Sequence, residues 1–275
     1  MSRGQIIALG TCVVLLAGIF LFGKRTKPKD DKGENISQSH ATAPMPDAFN
    51  IEDYLAQVNL AITDKAEKDS IETFTKTAQY RKLIAEYQKI DKPLAIAYYS
   101  TKMAGAENKE YLYLSAGDYN SMLLQSAPDE KAKRFLSANA IECYKSAVAL
   151  DTAKTENRIR LAGAYMEEGT QPMQGVGILL DIVRKDSNNV DAQLMLGRFG
   201  LISGQTDKAI IRLEKILYLQ PQNSEALFLL AQAYDSQGNK QKALDLLEKC
   251  KKTVHDPQAK KEIETFIENI KKPKG

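Results

Sequence analysis

Apolar residues recur at intervals of three and four on both sides of Gly238, in the stretch Ala226–Cys250. The residues at this spacing are Leu227, Leu230, Ala231, Tyr234, Ala243, Leu247 and Cys250. Such a period is typical of an amphipathic helix, and a short polar interval with glycine is typical of a turn. The stretch is therefore predicted to be a helical hairpin. It needs neighbours, because one hairpin cannot bury both of its apolar faces.

The same pattern occurs 34 residues earlier, in Val190–Asn223. The aligned pairs are Gly197 with Ala231, Gly204 with Gly238, Ala209 with Ala243, and Leu213 with Leu247. Further copies are predicted in Thr155–Asn189, in Lys109–Lys154 with about a dozen extra residues, and in residues 79–108. One copy has Gly200 where an aromatic residue is expected, which predicts either looser packing or a closely approaching backbone.

This period, and the order small, aromatic, glycine, alanine, proline, resemble the tetratricopeptide repeat (TPR) family over about residues 76–257. The resemblance covers roughly five units at this period. It implies an all-α fold, a right-handed superhelical solenoid of helix-turn-helix repeats in which each hairpin packs on the next.

The two ends of such an array need caps. Residues 49–75 are expected to form helices that cap its start, with Thr63 or Asp64 as the N-cap of the second. Residues 258–275 are expected to form a C-terminal capping helix and a basic tail. For this helix, Asp256 is the predicted N-cap and Pro257 the first helical residue. Its predicted apolar stripe consists of Ile263, Phe266, Ile267 and Ile270.

Residues 5–23, after a tail of residues 1–4, are predicted to form one transmembrane anchor. Ile6–Phe22 carries no charge, and the segment approaches the roughly 20 residues that span a bilayer. A cleaved signal peptide is the alternative, although no small-x-small cleavage site follows the apolar run. Residues 24–48 are rich in Lys, Asp, Ser, Pro and Gly, and are predicted to be a flexible linker.

The expected location is the inner membrane of a bacterium, as a single-pass protein. Lys24, Arg25, Lys27 and Lys29 follow the apolar run, whereas only Arg3 and the terminal amine precede it. Basic residues favour the cytoplasmic side, so this count favours a cytoplasmic repeat domain. A periplasmic repeat domain is the alternative.

Composition argues against several classes of function. The formal net charge is +3, which does not indicate a strongly basic nucleic-acid binder. The three cysteines and two histidines show no metal-ligand spacing, and no phosphate-binding glycine loop or HExxH motif occurs. No catalytic residue, metal or other cofactor is therefore expected, although an enzyme with a less obvious site is left open.

The TPR resemblance implies a groove lined by the first helix of each unit. Transferred to this sequence, the groove residues are Tyr113, Asn120, Ile159, Glu167, Leu194, Arg198, Leu201, Phe228, Gln232 and Asp235. The large residues at the fifth position are suited to an extended peptide or a partner helix, and Arg198 to an acidic group of that partner. Internal packing is the alternative role, above all for Ile159 and Leu194.

The favoured hypothesis is a membrane-tethered scaffold that holds a protein or peptide in this groove, as part of a membrane or envelope assembly. The alternative is a structural protein that self-associates through its terminal repeats or capping helix. The TPR version that grips chaperone carboxylates is not supported. Its lysine position holds Ile159, Leu194 and Phe228 instead.

Overall fold

The computed structural model describes residues 49–272, and every regular element in that range is helical. The helices are α1 (Ile51–Ala61), α2 (Lys65–Lys76), α3 (Tyr80–Lys89), α4 (Pro93–Glu107), α5 (Glu110–Leu123), α6 (Glu130–Leu150), α7 (Thr155–Glu168), α8 (Pro172–Lys185), α9 (Val190–Ile202), α10 (Thr206–Leu219), α11 (Ser224–Ser236), α12 (Lys240–Thr253) and α13 (Pro257–Lys271). A 3₁₀ turn, Leu124–Ser126, follows α5. The all-helical prediction is confirmed for these residues.

No helix within residues 49–272 is long and apolar enough to cross a bilayer. The predicted anchor, residues 5–23, and the predicted linker, residues 24–48, lie outside the described residues.

Helices that follow each other in the chain also pack against each other. The two helices of each hairpin are in contact in α3–α4, α5–α6, α7–α8 and α11–α12. Each hairpin also contacts the next helix along the chain, as in α4–α5, α6–α7 and α10–α11. Contacts between sequence neighbours are the property expected of a helical repeat array.

Helix ends follow the sequence signals closely. The Asp64 and Asp256 carboxylates accept hydrogen bonds from the Glu67 and Ala259 N–H groups, both at 2.9 Å. They thereby cap α2 and α13, as predicted, and Pro257 is the first residue of α13. Each cap satisfies one N–H group that has no partner within its helix.

The described chain divides into two compact units, residues 49–196 and 197–272. The first unit has an aromatic core where α1 lies against α3 and α4. Tyr87 is fully buried, stacks on Tyr99 with ring centroids 5.5 Å apart, and donates its hydroxyl to Asn59 Oδ1 of α1 (2.9 Å). Without this hydrogen bond, the buried hydroxyl of Tyr87 would lack a partner.

The extra residues predicted in the second hairpin lengthen its second helix. The helix α6 has 21 residues, whereas the equivalent helices α8 and α12 have 14 each. Phe135, in the added turns of α6, packs against Phe49 with ring centroids 5.3 Å apart. The insertion therefore covers apolar surface at the start of the described chain.

The second unit has its core between α11, α12 and α13. Leu247 is 0% exposed, and the α13 residues Ile263, Phe266, Ile267 and Ile270 are 4–7% exposed in the same cluster. The apolar stripe predicted for α13 is thus covered by the chain's own helices. It is not available as a surface for self-association.

Gly200 stands where an aromatic residue is expected, and the sequence predicts either looser packing or a closely approaching backbone there. The structure shows the close approach. A Cβ atom at Gly200 would lie 3.1 Å from Ala209 Cβ, and the Gln205 N–H donates to Gly200 O at 2.7 Å. The backbone of α9 therefore approaches α10 closely at this point. The absent ring is replaced by a close helix contact and leaves no gap.

Candidate functional site

The first helices of the hairpins share a burial pattern, which shows which of their residues are equivalent. The third residue of α7 and of α11, Asn157 and Ala226, is buried. The third residue of α5 counted from Glu110 is Leu112, which is buried as well. The predicted groove positions of α5 start from Lys109, one residue too early, and a shift of one residue rotates each side chain by about 100° around the helix.

The predicted place of Asn120 in an open groove is wrong because of this rotation. Its side chain is 0% exposed. The Asn120 amide donates to Ala116 O (2.8 Å) and Thr101 Oγ1 (3.3 Å), while Oδ1 has no hydrogen-bond partner among the described residues. Tyr113 is half-buried, and its hydroxyl donates to Asn108 Oδ1 (3.3 Å). Asn120 is therefore a packing residue.

The exposed residues of α5 differ from the predicted ones, Tyr113 and Asn120. Tyr111, Ser115, Asp118 and Met122 are spaced as i, i+4, i+7 and i+11, so they form one stripe along the helix. Tyr111 is 57% exposed and Met122 60% exposed, so both offer apolar surface to the solvent. Asn108 ends α4 in the left-handed conformation, and α5 begins at Glu110. This helix boundary is the signal that would have identified the four exposed residues.

Helix α7 carries a stripe with the same spacing: Glu156, Arg160, Gly163 and Glu167. An ion pair between Arg160 and Asp118 joins this stripe to that of α5. We call these eight residues the α5–α7 face. The face combines two exposed apolar side chains with four charged ones.

A hydrogen-bond network holds the centre of the α5–α7 face in place. The Tyr144 hydroxyl donates to Asp118 Oδ1 (2.7 Å), and Arg160 Nη2 donates to Glu156 Oε1 (3.0 Å). Burial raises the pKa of Tyr144, and the adjacent Asp118 carboxylate raises it further. Burial lowers the pKa of Arg160, but its bonds to Asp118 and Glu156 outweigh this effect and raise it. Arg160 therefore stays charged and fixed between two carboxylates.

Buried Asn157 fixes the approach of α7 to the preceding hairpin. Its amide donates to Glu110 Oε1 (2.8 Å) and to Ala147 O (3.3 Å). Lys154 Nζ also donates to Glu110 Oε1, and this hydrogen bond lowers the pKa of the partly buried Glu110 carboxyl. The relative position of α5 and α7, and thus of their two stripes, depends on these bonds.

The other predicted groove residues of the first unit are accessible to different degrees. Ile159 and Leu194 are half-buried, whereas Glu167 is exposed. A Cβ atom at Gly163 would lie 3.0 Å from Met195 Cε. Met195 therefore fills the space beside this glycine, which leaves no pocket there.

Arg198, in the second unit, already has an acidic partner within the chain. Its guanidinium forms an ion pair with Glu225, and both side chains are partly buried. The predicted partner of Arg198 is instead an acidic group of a bound protein or peptide. Pairing with Glu225 reduces the positive charge that Arg198 offers to any such group.

The Phe228 side chain packs against the C-terminal helix, α13. Its ring lies 5.7 Å, centroid to centroid, from that of Phe266 in α13. Leu201, Gln232 and Asp235 are half-buried. The predicted groove residues of the second unit thus include an ion-paired arginine and a phenylalanine that is covered by α13.

The described residues contain no group of three or more His, Cys, Asp and Glu side chains that could hold a metal ion. Cys143 and Cys250 are buried and form no disulfide, and burial raises the pKa of each thiol to about 11. Such thiols are poor nucleophiles at neutral pH.

Comparison with known proteins gives a partial match at the C-terminal hairpins. The family model described as anaphase-promoting complex, cyclosome, subunit 3 matches residues 203–260. The peroxisomal targeting signal receptor of Candida albicans is 33% identical over 100 residues, which cover 36% of this chain and 17% of the receptor.

Several solved structures are similar at low sequence identity. MamA of Desulfovibrio magneticus RS-1 is 16% identical, with a TM-score of 0.47, over 65% of this chain and 94% of that chain. YrrB, described as a TPR protein with an unusual peptide-binding site, is 16% identical, with a TM-score of 0.44, over 71% of this chain and 99% of that chain. The successive helical hairpins and the family match together support the prediction of a TPR protein.

Proposed function

We propose that the protein is a non-catalytic interaction scaffold and that its α5–α7 face holds a protein or peptide partner. One observation carries this proposal: Tyr111 and Met122 are largely exposed on the same stripe of α5, on either side of an ordered ion pair. Protein interfaces combine buried apolar side chains with about ten direct hydrogen bonds between polar groups, and this face offers groups of both kinds. The partial similarity to a targeting-signal receptor is in keeping with such a role.

Site-specific photo-crosslinking tests this surface. With a photoreactive residue at position 111 or 122, we expect covalent adducts with the same partner protein in cells of the source organism. Adducts are expected because a bound partner would cover both side chains. Mass spectrometry of the purified adducts would identify the partner.

The matched control is position 173. Met173 lies in α8, the second helix of its hairpin. It is 67% exposed and thus at least as accessible as Met122. A partner seated on the α5–α7 face would give no adduct at position 173. Equal adduct yields at positions 122 and 173 would show that the α5–α7 face is not the binding surface.

We further propose that residues 5–23 anchor the protein in the inner membrane of a bacterium, with the repeats on the cytoplasmic side. The uncharged run Ile6–Phe22 and the basic residues that follow it support this proposal. A tether of this kind would raise the concentration of the scaffold near membrane-bound partners.

A reporter fused to the C-terminus tests the side of the membrane. We expect activity from a reporter that folds only in the cytoplasm, and none from one that is active only in the periplasm. The opposite result would place the repeats in the periplasm. Release of the whole fusion by a high-salt wash would argue against any anchor.

A further inference from the structure

The charge of the α5–α7 face indicates which class of segment it accepts. We propose that this face selects a segment in which cationic side chains alternate with apolar ones. This inference rests on the proposed function, since it specifies the partner of the same surface. It does not depend on which protein supplies the segment.

In the hairpins α5–α6, α7–α8 and α11–α12, acidic residues predominate in the first helix and basic residues in the second. In the first unit, α5 and α7 carry five acidic and two basic side chains, whereas α6 and α8 carry three acidic and six basic ones. The last hairpin shows the same division. There α11 carries two acidic and no basic side chains, and α12 two acidic and five basic ones. The first helix α3 carries three basic and one acidic side chain, and α9 carries one of each, so the excess of acidic residues is confined to α5, α7 and α11.

The α5–α7 face itself has more carboxylates than cations. Asp118, Glu156 and Glu167 are its acidic members, and Arg160 is its one basic member. Because Arg160 is shared between Asp118 and Glu156, its single positive charge cannot balance two carboxylates. The side chains of Asp118 and Glu156 are 48% and 63% exposed, so both remain accessible to a cation of a partner.

The apolar members of the face lie on both sides of these charges. Tyr111 precedes Asp118 by two turns of α5, and Met122 follows it by one turn. A segment that crosses Asp118 can therefore bring a cation to the carboxylates while neighbouring side chains contact Tyr111 and Met122. The exposed Tyr111 ring can also receive a Lys or Arg side chain on its face.

Three peptides and the full-length protein test the charge selection. The peptides share the same tyrosine and leucine residues and carry lysine, glutamine or glutamate at every other position. In fluorescence anisotropy at low ionic strength, we expect the lysine peptide to bind at least about tenfold more tightly than the glutamate peptide. This preference should shrink as sodium chloride is raised, since the carboxylates are exposed and screened by salt.

The variant Glu156→Gln/Glu167→Gln tests whether the preference comes from the α5–α7 face. It should weaken binding of the lysine peptide by roughly fivefold and leave the glutamine peptide unchanged. The matched control Glu130→Gln/Glu142→Gln removes the same charge from exposed positions of α6, and should bind like the unchanged protein.

Equal affinity for the three peptides would overturn the charge inference, and so would equal losses in the two double variants. The variant Met122→Ser separates this failure from that of the proposed function. If Met122→Ser weakens all three peptides equally, the face binds peptides without regard to charge and the proposed function stands. If the lysine peptide does not bind at all, the charge inference fails, and the crosslinking experiment decides the proposed function.

Discussion

Replacing Leu213 with alanine is expected to lower the free energy of unfolding by about 3–4 kcal/mol. The Leu213 side chain is 0% exposed and lies against the backbone of Gly197, where an added Cβ atom would be 3.2 Å from both Cγ and Cδ2 of the leucine. Removal of three carbon atoms from this site leaves a cavity that the facing glycine cannot fill. Urea denaturation followed by circular dichroism measures the loss.

The matched control is Ile211→Ala in the same helix. Ile211 is 68% exposed, so its truncation changes the unfolding free energy by less than about 0.5 kcal/mol. If the two variants were equally stable, Leu213 would not be a core residue and the packing of α9 on α10 would have to be revised.

Replacing Gly175 with alanine is expected to cost about 2–3 kcal/mol, although alanine is the better helix former. A Cβ atom at this position would lie 2.4 Å from Ala162 O and 2.8 Å from Met166 Cγ. The carbonyl belongs to the backbone of α7 and cannot turn away, so α7 and α8 would have to separate. Denaturation under the same conditions gives the cost.

Gly177, two residues further along α8, provides the opposite case. A Cβ atom there meets nothing within 4 Å. Gly177→Ala should therefore stabilise the protein by about 0.5–1 kcal/mol through helix propensity alone. A destabilising effect of the same size in both variants would contradict the close contact at Gly175.

The order of helices could be predicted from the sequence because it depends on local signals. The positions of small and large apolar residues, the glycines after α9 and α11, and the caps Asp64 and Asp256 all act within a few residues of one another. The predicted C-terminal helix is also local in this sense, and its apolar stripe is buried as its spacing requires.

The candidate site was harder to predict, because exposure depends on rotation about a helix axis and on partners that are distant in the sequence. With α5 counted from Lys109 instead of Glu110, the predicted groove included buried Asn120 and left out exposed Met122. The partners of Arg198 and Phe228, which are Glu225 and Phe266, belong to helices further along the chain. Spacing within one helix does not reveal such contacts.

The contact between Phe49 and Phe135 has a consequence for how the first unit unfolds. Repeat arrays in which helices touch only their sequence neighbours can lose structure gradually from one end. In this chain the added turns of α6 reach back to the residues before α1, so the segment between them is enclosed by a long-range contact. Fraying from the N-terminal side must first break this contact, which couples α1 to the second hairpin as a single cooperative block.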